Sequence, residues 1–240
     1  RLWRTGGGGM TRLAIAAALL CAASPLAAAT VASPDGRITV KVEADGEGIP
    51  FYEIALEGKP LIAKSAIAFN FTDEDPLRRG LKVDSETAAP TVDTRWEQPW
   101  GERRFVTDRH NELAVTFLHE ATSRRFTIRF RVFDDGVGFR TEFPERAAKP
   151  ETHIAEELTE FDIAPKGTAW WIQAGDFNRY EQIYQQTPID AISMAHTPMT
   201  IRLEDGTHLS FHEAALVDYS GMWMQRLTGQ KFRAHLAPSS

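Results

Sequence analysis

Three features of this 240-residue chain predict an all-β fold built as a large antiparallel sandwich. From Gly36 onward, short runs alternate apolar and polar residues and are separated by turn residues about every ten positions, the period-2 signature of half-buried strands. Helical spacing is scarce. No linker or internal repeat divides the chain beyond residue 30, so one core is expected.

The elements follow in order. Residues 37–43 (RITVKVE) alternate cleanly, and Ala44-Asp45-Gly46-Glu47-Gly48 closes the run with turn residues. Residues 51–56 follow and end at Glu57-Gly58-Lys59-Pro60, so the pair reads as a hairpin or the start of a meander. The pattern returns at 113–118 and at 126–132, which puts Phe126, Ile128, Phe130 and Val132 on one face. Asp134-Asp135-Gly136 turns the chain into 137–143, and Arg129, Arg131 and Arg140 then project from the opposite, solvated face. The best helical signal is 178–186, where Tyr180 and Tyr184 lie one turn apart, although a simple turn would also fit. Strands at 199–203 and 208–212 flank Glu204-Asp205-Gly206-Thr207, whose Asp-Gly pair suits a tight hairpin. The last run, 231–236, alternates like a strand that continues, which points to truncation near Ser240.

The N-terminus has a different character. Residues 1–9 read as upstream or non-native sequence, and 10–29 as a secretory signal peptide: Arg12 supplies the positive charge, 13–23 the apolar stretch and Ala27-Ala28-Ala29 the small-residue cleavage site. The apolar stretch is too short for a bilayer core of about 20 residues and is broken by Ser24-Pro25, so no membrane span is expected. Cys21, the single cysteine, lies in that stretch behind the bulky Leu20, so neither a lipid anchor nor a disulfide is expected in the mature chain of residues 30–240. Export to a bacterial periplasm or beyond follows. Without Arg1, Arg4 and Arg12, 24 basic residues remain against 33 acidic ones, a net charge of −9 that argues against nucleic acid or anionic membrane as partners.

Common catalytic signatures are missing: no phosphate loop, no Gly-x-Ser-x-Gly elbow and no His-Glu-x-x-His. His208 and His212, four apart in a predicted strand, would sit about 13 Å apart and could not share a zinc ion. Glu156, Glu157 and Glu160, or Asp73, Glu74 and Asp75, could form a calcium loop, but neither has EF-hand spacing and solvated surface runs are the simpler reading. Trp96, Trp100, Trp170, Trp171 and Trp223 raise the prospect of carbohydrate contact, since aromatic faces stack on sugar rings, while core packing accounts for most such residues in sandwiches.

The order of several motifs resembles the N-terminal domain of glycoside hydrolase family 97: Ser33-Pro34-Asp35-Gly36-Arg37-Ile38, Trp100-Gly101-Glu102, Gly136-Val137-Gly138-Phe139-Arg140, Glu157-Leu158-Thr159-Glu160-Phe161, Ala169-Trp170-Trp171 and Tyr180-Glu181. Thr197-Pro198-Met199-Thr200, Asp205-Gly206 and the run from His212 to Met222 are the most specific. The resemblance implies a galactose mutarotase-like β-supersandwich, packed in the parent enzyme on a downstream (β/α)8 barrel that carries the catalytic acid and base. It also implies exo-acting hydrolysis of α-glucosidic or α-galactosidic bonds in an oligosaccharide, and a Ca2+ ion at the junction for which Glu213 is one ligand. No catalytic residue is then expected among these 240, and since calcium takes six to eight oxygens, Glu213 alone would bind it weakly. Two other readings remain open at this stage: a mutarotase-like epimerase using His196 and Glu213, and a stand-alone sugar-binding module.

Overall fold

The computed structural model describes residues 28–144, 146, 149–176 and 178–237. Residues 1–9 and most of the expected signal peptide, Cys21 included, lie outside them. Eighteen strands and one 3-10 turn, Ile189–Ala191, make up the regular structure of the described residues. In chain order the strands are β1 (Ala29–Ala32), β2 (Ile38–Ala44), β3 (Pro50–Leu56), β4 (Lys59–Ala66), β5 (Phe69–Phe71), β6 (Leu81–Glu97), β7 (Phe105–His119), β8 (Arg124–Phe133) and β9 (Val137–Glu142). They continue with β10 (Ile154–Glu157), β11 (Glu160–Ile163), β12 (Gly167–Trp171), β13 (Gln185–Pro188), β14 (Met194–His196), β15 (Met199–Leu203), β16 (His208–Phe211), β17 (Met222–Thr228) and β18 (Lys231–Leu236). The all-β prediction holds. No helix among the described residues is long and apolar enough to cross a membrane.

An eight-stranded antiparallel sheet, in the order β1-β2-β3-β4-β11-β18-β17-β14, forms one layer. Facing it are two four-stranded sheets, β6-β7-β8-β9 and β13-β12-β15-β16, with β10 and β5 pairing separately. Phe161 of β11 fixes the arrangement, because its ring lies 6.3 Å from Phe139 of the first small sheet and 5.5 Å from Phe211 of the second. Both small sheets therefore cover the same face of the large one. The contact layer is aromatic: Tyr52 of β3 meets Phe130 and Phe139 at 5.8 and 5.3 Å, and Phe69 meets Phe126 at 5.9 Å. Tilted and edge-on pairs at such separations add to the stabilisation from area burial alone.

β8 shows how the local sequence sets this geometry. Its Phe126, Ile128, Phe130 and Val132 are fully buried on the predicted face. On the other phase, Arg129 donates to both oxygens of Glu142 and to Glu112, and Arg131 to Glu112. The solvated arginine face is thus an ion-paired ladder across β7, β8 and β9. The Glu57-Gly58 turn takes positive φ at both positions (52° and 76°), so β4 starts at once at Lys59, inside what the sequence suggested was turn.

Two expectations change. Residues 178–184 form no helix; after a turn residue at Asn178 they run without regular structure into β13, and Tyr180, Ile183 and Tyr184 remain exposed. Tyr180 alone is anchored, its ring on His196 and its hydroxyl on the Thr197 carbonyl, while Ile183 and Tyr184 find no buried face that would favour a helix. The run 208–212 ends as a strand at Phe211, so His212 lies in the loop that follows.

Strand register also defines two ends of the sandwich. The end called here the distal end carries the β2–β3 turn, the close of β18 at Leu236 and the start of β17 at Met222. Gly48 in that turn receives β6: its carbonyl accepts from Leu81 N–H, and a Cβ at Gly48 would lie 2.6 Å from that nitrogen, with φ at +72°. Only glycine allows both the conformation and the approach.

Candidate functional site

At the distal end, the close of β14, the start of β15 and the loop after β16 converge on one open cavity of about 410 Å³, lined by Thr197, Pro198, His212 and Glu213. The Thr197–Pro198 bond is cis and carries the chain from β14 in the large sheet to β15 in the small one. Glu213 is partly exposed. Its Oε2 accepts from Thr197 Oγ1 at 2.5 Å and its Oε1 accepts from the backbone N–H of Met222. Each carboxylate oxygen has about two lone-pair sites, so local bonding leaves roughly one per oxygen for a group in the cavity. The side chain is fixed rather than sealed, and its chemistry suits one or two donor oxygens to a hard cation. Among the described residues, no group of three or more His, Cys, Asp or Glu side chains converges as a metal site. Glu213 fits calcium as a contributing ligand and not as a complete one.

His196 precedes Thr197, but its ring is only 6% exposed and does not line the cavity. It sits between Tyr180 at 4.7 Å and Trp223 at 5.8 Å, both edge-on, and Trp223 stacks in turn on His235 at 5.8 Å. Burial holds the His196 pKa below its ordinary value, which favours the neutral ring. An epimerase base must reach a sugar hydroxyl, and this buried side chain is not among those lining the cavity that Glu213 faces. Tyr180 also donates through its hydroxyl to the carbonyl of Thr197, tying the 178–184 segment to the cavity rim.

The other candidate acids are committed elsewhere. Glu156 accepts from Asn70 at 2.5 Å, Glu157 from Thr159 and Tyr219 at 2.6 Å each, and Glu160 from the Ala66 N–H and Lys231. Asp73 and Glu74 are matched by cations: Lys149 lies 2.6 Å from Asp73, while Arg124, Arg146 and Lys149 surround Glu74 at 2.6, 2.7 and 3.0 Å. Their pKa values are held below the ordinary carboxylate range, Asp73 chiefly by the Lys149 hydrogen bond. Neither cluster is a calcium loop, and the second is ion-paired rather than merely solvated. His208 opens β16 and His212 lies in the loop after it. Of the tryptophans, Trp171 and Trp223 are buried, whereas Trp96 and Trp100 are 51% and 84% exposed.

The rim is apolar. Leu216, Val217 and Tyr219, in the loop between Glu213 and β17, are exposed, as are Tyr180, Ile183 and Tyr184. Sequence reasoning did not single out these residues as a group, because their common feature is exposure, which periodicity does not report outside regular elements.

Comparison with known proteins places this geometry. A family model described as the glycosyl-hydrolase 97 N-terminal domain matches residues 31–237. A glycoside hydrolase family 97 enzyme from Pseudoalteromonas sp. strain K8, in complex with acarbose, superposes with a TM-score of 0.83 at 41% identity. A variant of the family 97 enzyme from that strain, in complex with panose, gives 0.82 at the same identity. In both, the match covers 88% of this chain and 32% of the other, so the chain spans about a third of the solved enzymes it matches. A β-arabinopyranosidase structure shares the fold, with a TM-score of 0.79 at 22% identity over 88% of this chain and 35% of that one.

Proposed function

Since the chain belongs to glycoside hydrolase family 97, as an N-terminal domain of that family, we propose that it serves a calcium-dependent, exo-acting hydrolase of α-glucosidic or α-galactosidic bonds, forming one wall of the active site and supplying one metal ligand. The observation that carries this reading is the Glu213 carboxylate, fixed by Thr197 and Met222 yet open to a cavity. Acarbose and panose, the ligands of the 41%-identical enzymes, are α-linked oligosaccharides and favour the glucosidic member of the pair.

Within this role the domain's residues orient and exclude water; they transfer no proton. Thr197 and the Met222 N–H aim the carboxylate, a preorganisation that spares the ligand side chain its rotamer entropy when an ion arrives. The exposed Leu216, Val217, Ile183 and Tyr184 supply the apolar surface against which the (β/α)8 barrel of the parent protein seats, excluding water around the ion and the sugar. When bound, calcium supplies Lewis-acid polarisation. The general acid and the base or nucleophile belong to the barrel. The parent is exported to the periplasm or beyond by the signal peptide at 10–29.

The test is hydrolysis by the full-length parent, assayed with p-nitrophenyl α-glucoside and α-galactoside before and after chelation. Turnover of one of the two, lost on chelation and restored by Ca2+, is the expected result. Turnover unaffected by chelation, or cleavage of neither substrate by a folded parent, overturns the reading.

A further inference from the structure

The β6–β7 hairpin is longer than the sandwich that carries it. β7 pairs with β8 only from His110–Phe133 to His119–Arg124, whereas β6 and β7 continue to pair from Val92–His110 out to Glu97–Phe105. Residues 92–109 therefore form a two-stranded arm with no third strand on either side among the described residues, so that both backbone edges are open there. The arm leaves the end opposite Glu213. β6 starts at Leu81 against Gly48 at the distal end, and the arm begins where Asn111 donates to Ala32 and Asp35 N–H donates to Asp134, at the other end of β1.

A lone two-stranded ribbon is marginal in water, and this one exposes Trp96 (51%), Trp100 (84%) and Phe105 (41%) within ten residues. Arg95 and Arg104 cover the Phe105 ring at 3.9 and 5.3 Å, which leaves the two indoles as the unpartnered apolar surface. The arm also differs in charge from the body. Asp93, Glu97, Glu102 and Asp108 balance Arg95, Arg103, Arg104 and Arg109, giving zero, so the whole −9 of residues 30–240 resides outside the arm. Two bodies of that charge repel, and the arm is where two copies can meet without that cost. Within one arm Arg104 lies 2.7 Å from Glu97 and Arg109 3.6 Å from Asp93, so the ribbon carries both signs side by side and presents no single-sign face to repel its own copy. Eighteen residues a side come near the roughly 20–30 of a standard interface.

From the arm's length, free edges, exposed indoles and internal charge balance, we infer that residues 92–109 form a homodimerisation arm, through which a second copy of this chain docks with Trp96 and Trp100 at the centre of the contact. Because the arm points away from Glu213, pairing leaves the cavity and its apolar rim free.

Sedimentation equilibrium on the full-length parent over about 1 to 100 µM, where mass action resolves a micromolar dimer, tests this. The wild type is expected to dimerise, and Trp96→Ser with Trp100→Ser to raise the dimer dissociation constant at least tenfold. Arg95→Glu with Arg104→Glu, which gives the arm a charge of −4, is expected to weaken the dimer in low salt and less so in high salt. Unchanged circular dichroism would show that the variants fold, and unchanged turnover per active site that the cavity is not involved. A wild type that stays monomeric throughout, or a dimer indifferent to both pairs of substitutions, overturns the inference. So does a monomer whose tryptophan emission shifts with malto-oligosaccharide in a Trp96- and Trp100-dependent way, since the arm would then be a sugar platform. Failure here leaves the calcium and hydrolase reading untouched, because that reading is tested by chelation.

Discussion

Glu213 holds two local donors, the Thr197 hydroxyl and the Met222 N–H, and that bonding separates two substitutions. Glutamine can still accept from Met222 through its amide oxygen and donate to the Thr197 hydroxyl, so Glu213→Gln is expected to cost less than about 1 kcal/mol of folding stability. Alanine removes both acceptors and leaves a partly buried N–H unpaired, so Glu213→Ala is expected to cost about 1–3 kcal/mol. Urea denaturation of both variants checks the order; equal losses would mean that the two hydrogen bonds do not fix the side chain. Glu213 itself was legible only through its motif. No spacing rule distinguishes it from the other acids, and the residues that orient it lie 16 and 9 positions away in sequence.

At the level of strands, the β7–β8–β9 ladder makes a prediction about acid. The Arg129 guanidinium pulls the Glu142 pKa from 4.5 to about 2, with a further contribution from Arg140. A carboxylate depressed in the folded state stabilises the fold fully above its unfolded pKa, and that contribution disappears as pH falls through the folded value. Between about pH 4.5 and 2 the unfolded chain binds the extra proton, so stability must fall with pH across that window. Glu142→Gln is expected to flatten this slope and to lower stability at pH 7 by only about 1 kcal/mol, because the pair is partly solvated. Urea midpoints followed against pH report it; an unaltered slope would mean that the ladder contributes nothing. Strands were legible where one face is buried, as in β2, β8, β15 and β18, because burial imposes a period of two. β6 escaped for the converse reason: nearly all of its residues are exposed, Pro90 interrupts it, and its register slips between Ala89 and Val92, so it carries no alternation.

Considered whole, the molecule is a sandwich with two differently equipped ends. One holds the Glu213 cavity within an apolar rim, and the other projects the charge-balanced arm. The core and fold class followed from pattern, while the cavity did not, because Thr197, Glu213 and Met222 meet there from separate segments that no alternation marks. The proposed role of Glu213 stands or falls with whether calcium is held through this domain. Isothermal titration of Ca2+ into the metal-stripped full-length parent measures it directly, with Glu213→Gln as the comparison. A single tight site, weakened about 10- to 100-fold by the substitution while the fold is retained, is the result predicted. Equal Ca2+ affinity in the two proteins would contradict the account.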